Sequence, residues 1–268
     1  MTTRTATIPF AQTTIPVMIT EYGPADATAA ILLLHGGAGP QSVDAFAQQF
    51  AAAHDVRVII PTHPGFADTE RHPALGTVKD LAGLYVALLG DEKLGQVTVV
   101  GNSVGGWIAA EIATLAPPEV SRLVLVDAAG IAVDGHPIPD VFALDLTQIA
   151  ERSYADPDRF RVDPSALPPA ARAAIAGSMQ ALRDYTGAVM ADPTLEDRLP
   201  KITVPTLVVW GDHDRMIEPA IGKAYAAAIP GARFELISNA GHLPQLETPE
   251  IFGALLGDFI AAPEASRR

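Results

Sequence analysis

The sequence predicts an α/β protein whose parallel sheet is covered by helices. Three observations predict it. Short apolar runs recur at 15–20, 29–34, 56–60, 97–100, 122–126, 205–210 and 233–237. Several are apolar at consecutive positions rather than alternating, as strands buried on both faces are. Between them lie stretches of helical period at 42–53, 78–90, 104–116, 219–229 and 249–262. Strand–helix–strand alternation of this kind builds parallel crossovers.

The elements follow in order. The run at 29–34 ends in Ile31-Leu32-Leu33-Leu34 and opens into a glycine-rich turn. The run at 97–100 enters another such turn and then a helix. Pro219 stands where a helix starts, and Pro230-Gly231 stands where it must stop. The rhythm breaks between 131 and 200, a stretch rich in Pro, Asp, Ala and Arg with no convincing strand. Helical patterns at 141–152 and 169–191 make it a helical insertion over the sheet.

Composition narrows the function classes. With 268 residues the chain can bury about 70–75% of its unfolded surface, enough for one large core. It has no cysteine, which excludes disulfides, thiolate metal sites and cysteine nucleophiles. Asp and Glu number 31 against 18 Lys and Arg, and the net charge of -13 repels nucleic acid and anionic lipid. No apolar stretch reaches the ~20 residues of a membrane helix, and no apolar segment follows Arg4. A cytoplasmic protein acting on a small molecule is expected. The oligomeric state is not legible.

The strongest local signal is Gly101-Asn102-Ser103-Val104-Gly105, between a strand and a helix. A sharp turn there lifts the Ser103 hydroxyl above the sheet, and a side chain at Gly101 or Gly105 would clash. The following helix points its first N–H groups at the site. A phosphate-binding reading lacks both the Lys-Ser/Thr and the G-x-G-x-x-G pattern. The second signal is His35-Gly36-Gly37-Ala38-Gly39-Pro40. The Gly37 amide, with that of Val104, would form a two-donor oxyanion hole, while His35 braces the turn. The third is Gly211-Asp212-His213-Asp214, and the fourth is Gly241-His242-Leu243. All four lie at C-terminal ends of strands, where open α/β sheets bind ligands. The order Ser103, Asp214, His242 is the nucleophile–acid–base order of the hydrolase elbow.

With these residues in place the chain resembles the α/β-hydrolase superfamily over nearly its whole length. Gly36-Gly37 resembles the oxyanion loop, His63-Pro64-Gly65-Phe66 the Pro-Gly turn after the next strand, and residues 101–105 the nucleophile elbow. The resemblance implies a mostly parallel sheet of about eight strands with helices on both faces. It implies a core made of residues 1–130 and 201–268, with 131–200 as a helical cap that shapes substrate choice.

The roles follow from chemistry. Ser103 is the candidate nucleophile and needs a base to take its proton. His242 is the candidate base, because imidazole ordinarily titrates near ~6.5. Asp214 would hold the imidazole tautomer. Asp212 reads as a turn residue, His213 as an exposed one, and Asp127 is an alternative acid at the end of the run at 122–126. His54, His63, His72 and His136 have no ligand spacing, so no metal is expected, and the chemistry needs no cofactor. Trp107 and Trp210 read as core.

The leading expectation is hydrolysis of a small-molecule ester or lactone through an acyl-enzyme. The elbow also resembles that of meta-cleavage-product hydrolases, which cut C–C bonds. Those enzymes usually carry Trp after the catalytic His, where this chain has Leu243. Their cap arginine has no clear counterpart here, although Arg152, Arg172 and Arg183 are available. Cofactor-free perhydrolase activity and a non-catalytic ligand receptor are further alternatives.

Overall fold

The computed structural model describes residues 1–27 and 29–262, so the last six residues of the expected 201–268 unit lie outside the described residues. Eight strands form one sheet in the order β1-β2-β4-β3-β5-β6-β7-β8. They are β1 Thr2–Phe10, β2 Thr13–Tyr22, β3 Ala30–Leu34, β4 Arg57–Pro61, β5 Val97–Asn102, β6 Val120–Val126, β7 Thr206–Gly211 and β8 Arg233–Ile237. Strand β2 runs antiparallel to both β1 and β4, and every pair from β4 through β8 is parallel.

Consecutive apolar residues are explained by a core on each face. Leu32, Leu34, Val99, Leu125 and Trp210 join the cluster under α2 (Val78–Asp91), α3 (Val104–Thr114) and α7 (Pro219–Ala228). Their neighbours Ile31, Leu33, Val100, Val124 and Val209 join the cluster under α1 (Gln41–His54) and α9 (Pro249–Ala261), which follows the short α8 (Pro244–Glu247). Strand side chains alternate faces, so a strand between two helix layers must be apolar at every position. Trp107 and Trp210 are both buried in the first cluster, as expected.

Strand β1 was not anticipated. Its sequence TTRTATIPF buries only Ala6 and Ile8, because it is an edge strand with one wet face. The apolar signal is correspondingly sparse, and pairing with β2 supplies what the pattern lacks.

Between β6 and β7 the described residues contain no strand. They form α4 (Leu146–Ser153), α5 (Pro157–Phe160) and α6 (Pro169–Thr186), with short 3₁₀ segments between and around them. The expected helix at 141–152 is divided. Asp145 caps α4 through a reciprocal box with Gln148, which starts a new helix after a turn at Val141–Ala143. The expected helix at 169–191 ends early, at Thr186, where Gly187 takes φ 64°. No described helix is long and apolar enough to cross a membrane.

Candidate active site

Ser103 sits between β5 and α3 with φ 59° and ψ -121°, a conformation outside the ordinary regions for a residue with a side chain. Several hydrogen bonds hold it there. Its N–H donates to Val126 O at 3.0 Å, and its own carbonyl accepts from Gly106 N, Trp107 N and Ala129 N. The turn also depends on close packing. A Cβ on Gly105 would lie 2.2 Å from Leu34 O, so α3 starts directly against the end of β3.

The Gly36–Gly37 loop runs beside the serine. A Cβ on Gly36 would stand 2.9 Å from Ser103 Cβ. Val104 opens α3, so its N–H has no turn behind it to bond. Among the described residues neither the Gly37 nor the Val104 amide finds a partner within the protein. Both are therefore free to donate to a ligand.

His242 and Asp214 form a buried pair. His242 Nδ1 donates to Asp214 Oδ2 at 2.8 Å. A carboxylate only accepts, so Nδ1 carries a proton, and Nε2 has no hydrogen-bond partner among the described residues. Asp214 Oδ1 accepts from Met216 N at 2.8 Å and Ile217 N at 2.9 Å, which fixes the carboxylate plane. Ser103 and His242 line one cavity, but among the described hydrogen bonds none joins Ser103 Oγ to His242. Asp212 and His213 pair with each other in the exposed part of the turn.

His35 is bonded into the turn at Gly36. Its Nε2 accepts from His63 N at 3.1 Å, while His63 Nε2 donates back to His35 O at 2.9 Å. His63 Nδ1 meets the Tyr85 hydroxyl at 2.6 Å. Both rings are fully buried and neutral. Burial lowers His63 to about 4, and burial with the His63 neighbour lowers His35 well below its ordinary value.

Two polar residues organise the site beyond the sequence reading. Asn102 Nδ2 donates to His242 O at 2.9 Å, tying the elbow to the base loop. Its signal was a polar side chain at the end of an otherwise apolar strand. Glu247 Oε1 accepts from Gly241 N and Oε2 from Ala155 N, which staples the base loop to the end of α4. His242 N itself donates to Ser153 O at 2.6 Å. Asp127, the alternative acid, sits beside the Asp214–His242 pair. One oxygen of Asp127, one of Asp214 and a His242 ring nitrogen all fall within 4.8 Å of one another.

Residues 31–255 match the profile of the alpha/beta hydrolase family. The chain belongs to that family. A 2-hydroxy-6-oxononadienedioate/2-hydroxy-6-oxononatrienedioate hydrolase of Cupriavidus pinatubonensis is 27% identical over 251 residues, covering 86% of each chain. A thermophilic esterase from Thermogutta terrifontis superposes with a TM-score of 0.76 at 22% identity, over 97% of this chain and 98% of that one. That likeness shows the fold alone. An N-acyl homoserine lactone degrading enzyme superposes with a TM-score of 0.72 at 27% identity, over 91% of this chain and 96% of that one. The alpha/beta hydrolase described here is thus similar in sequence to a dienedioate hydrolase and to a lactone-degrading enzyme.

Proposed function

We propose that this hydrolase cleaves a small-molecule ester or lactone through a Ser103 acyl-enzyme, without a cofactor. The observation that carries the reading is the strained Ser103 turn, set beside two free amides and sharing a cavity with the His242–Asp214 pair. Ser103 Oγ attacks the carbonyl carbon as His242 Nε2 takes the hydroxyl proton. Gly37 and Val104 N–H hold the oxyanion, each contributing on the order of 10²–10³ in rate. The imidazolium returns its proton to the departing alkoxide. Water then attacks the acyl carbon as His242 accepts its proton, the acyl–Oγ bond breaks, and the imidazolium returns the proton to Ser103 Oγ as the acid leaves.

The reading includes a small closure, because Ser103 and His242 are not yet hydrogen-bonded. Such contacts commonly tighten only once substrate is bound. Residues 131–200 are the proposed cap. Side chains of α4 and α6 form much of the cavity wall, so this segment shapes what enters.

A C–C hydrolase reading draws on the dienedioate hydrolase relative. Two observations count against it. Leu243 follows His242, and the one arginine in the described cavity wall, Arg161, is more than half exposed and paired with Asp158.

The test is labelling with a fluorophosphonate probe, read by intact mass. Wild type should gain one adduct, and Ser103→Ala and His242→Ala should gain none. A folded wild type that fails to label would sink the acyl-enzyme reading in favour of a ligand receptor.

A further inference from the structure

The cavity beside Ser103 measures about 650 Å³, within the range of small-molecule sites. Its wall is dominated by aliphatic groups such as Ile138, Val141, Leu146, Ile149, Ile175 and Leu182. Met179, Met190 and Met216 also line it, three of the five methionines in the chain. Thioether side chains adapt to flexible apolar ligands. Besides His242 the only charged residue in the described wall is Arg161. That guanidinium is already paired with Asp158 at 3.1 Å, and its side chain is 56% exposed. The remaining polar wall groups, including Gln41, Tyr154 and Ser178, are neutral. A carboxylate taken inside would lose its hydration and gain no buried cation.

From this wall we infer that the substrate is a neutral ester or lactone with an extended aliphatic acyl arm, and that acyl arms ending in a carboxylate are refused. The inference rests on the acyl-enzyme reading and deepens it. The test uses p-nitrophenyl esters from acetate to octanoate, together with mono-p-nitrophenyl suberate, which ends in a carboxylate. Each captured methylene should raise kcat/KM about two- to four-fold, making octanoate better than acetate by roughly 50-fold or more. The suberate ester should fall at least about 100-fold below octanoate. Ile175→Arg should narrow that gap by placing a cation in the wall, and Ala174→Trp should cut octanoate more than acetate. Acetate and octanoate turned over equally, or suberate matching octanoate, overturns the inference while Ser103-dependent turnover leaves the mechanism standing. No Ser103-dependent turnover of any ester overturns both.

A second inference rests on the carboxyl behind the triad. Asp127 is fully buried. Its Oδ1 accepts from Gly211 N at 2.9 Å, and its Oδ2 has no hydrogen-bond partner among the described residues. Asp214, within 4.8 Å, already accepts three N–H donors from Met216, Ile217 and His242. Two carboxylates so close and so buried do not both stay ionised, and the one with fewer donors keeps the proton. Burial raises Asp127 well above the usual carboxylate range, and the Asp214 and Glu247 charges add to that. The geometry points to Asp127 as a neutral acid that donates its proton to Asp214 and positions it against His242.

Carboxyl-carbon NMR of ¹³C-aspartate-labelled enzyme tests this. One aspartate resonance should remain at the protonated position at pH 7 and disappear in Asp127→Asn. Asparagine supplies the same neutral donor, so Asp127→Asn should keep kcat/KM within about three-fold, with its pH midpoint unmoved. Asp127→Ala should lose roughly ten-fold or more in kcat. Absence of a protonated aspartate at pH 7 overturns the proposal. So does a pH midpoint lowered by about one unit in Asp127→Asn, because that shift reports removal of a negative charge.

Discussion

Gly105→Ala is the sharpest test of how the Ser103 turn is held. The new Cβ would stand 2.2 Å from Leu34 O and 2.6 Å from His35 O, both backbone atoms of β3 and the oxyanion loop. A relaxed carbon–oxygen contact needs about 3.3 Å. The start of α3 must therefore retreat by roughly 1 Å, carrying Ser103 and the Val104 amide with it. A displacement of that size costs about 10² in rate, and overpacking a well-filled site costs about 1–3 kcal/mol. Gly177→Ala is the control. It lies in the middle of α6 with open space around the new Cβ, and should stabilise by up to about 1 kcal/mol. The assay is the second-order rate of fluorophosphonate labelling, alongside thermal unfolding. Gly105→Ala should label about 100-fold more slowly and melt roughly 2–8 °C lower, whereas Gly177→Ala should label normally. Normal labelling and an unchanged melting point in Gly105→Ala would refute the claim that close packing of α3 on β3 sets the serine.

Other outcomes are equally specific. His63 is neutral in the fold down to about 4, while the unfolded ring protonates near ~6.5. The unfolded state therefore binds the extra proton in that window, and stability falls as pH drops through it, by roughly 3 kcal/mol in total. Urea midpoints across this range should show a shallower pH slope in His63→Gln, and parallel slopes would contradict the assignment. Arg198 pairs with Glu111 at 2.5 Å, and Glu111 lies buried in α3. Arg198→Leu leaves Glu111 with only a long Trp107 Nε1 bond, so it should cost about 3–5 kcal/mol by denaturant titration. Asp214→Asn removes the acceptor that fixes the His242 tautomer and should lower kcat about 10⁴-fold, by analogy with a serine protease triad. A drop below ten-fold in kcat would mean another group holds the ring.

The sequence was legible where one element carried its own signal. Strands β3, β5, β6 and β7 are apolar on both faces and were read directly, as was the Ser103 turn. Strand β1 escaped because one face is solvated and its threonines resemble a loop. The break before α4 escaped because a single aspartate, Asp145, ends one helical pattern and begins another. Contacts that depend on folding were out of reach. Nothing local places Asp127 beside Asp214, or Asn102 beside His242, when 87 and 140 positions separate them. The apolar cavity was hidden for the same reason, since its wall draws on residues from Gly36 to Leu246.

The backbone ties between the base loop and the end of α4 bear on modularity. His242 N bonds Ser153 O, Glu247 joins Gly241 to Ala155, and Arg215 N bonds Arg152 O. The segment over the cavity is therefore not an interchangeable accessory. Grafting residues 131–200 from another hydrolase would keep the clasp only where the new backbone sets a carbonyl and an N–H at the places of Ser153 and Ala155, and a shifted backbone would detune the histidine even with every core residue retained. Specificity is better re-engineered from Pro169–Thr186, whose side chains reach the cavity and whose ends lie outside this clasp.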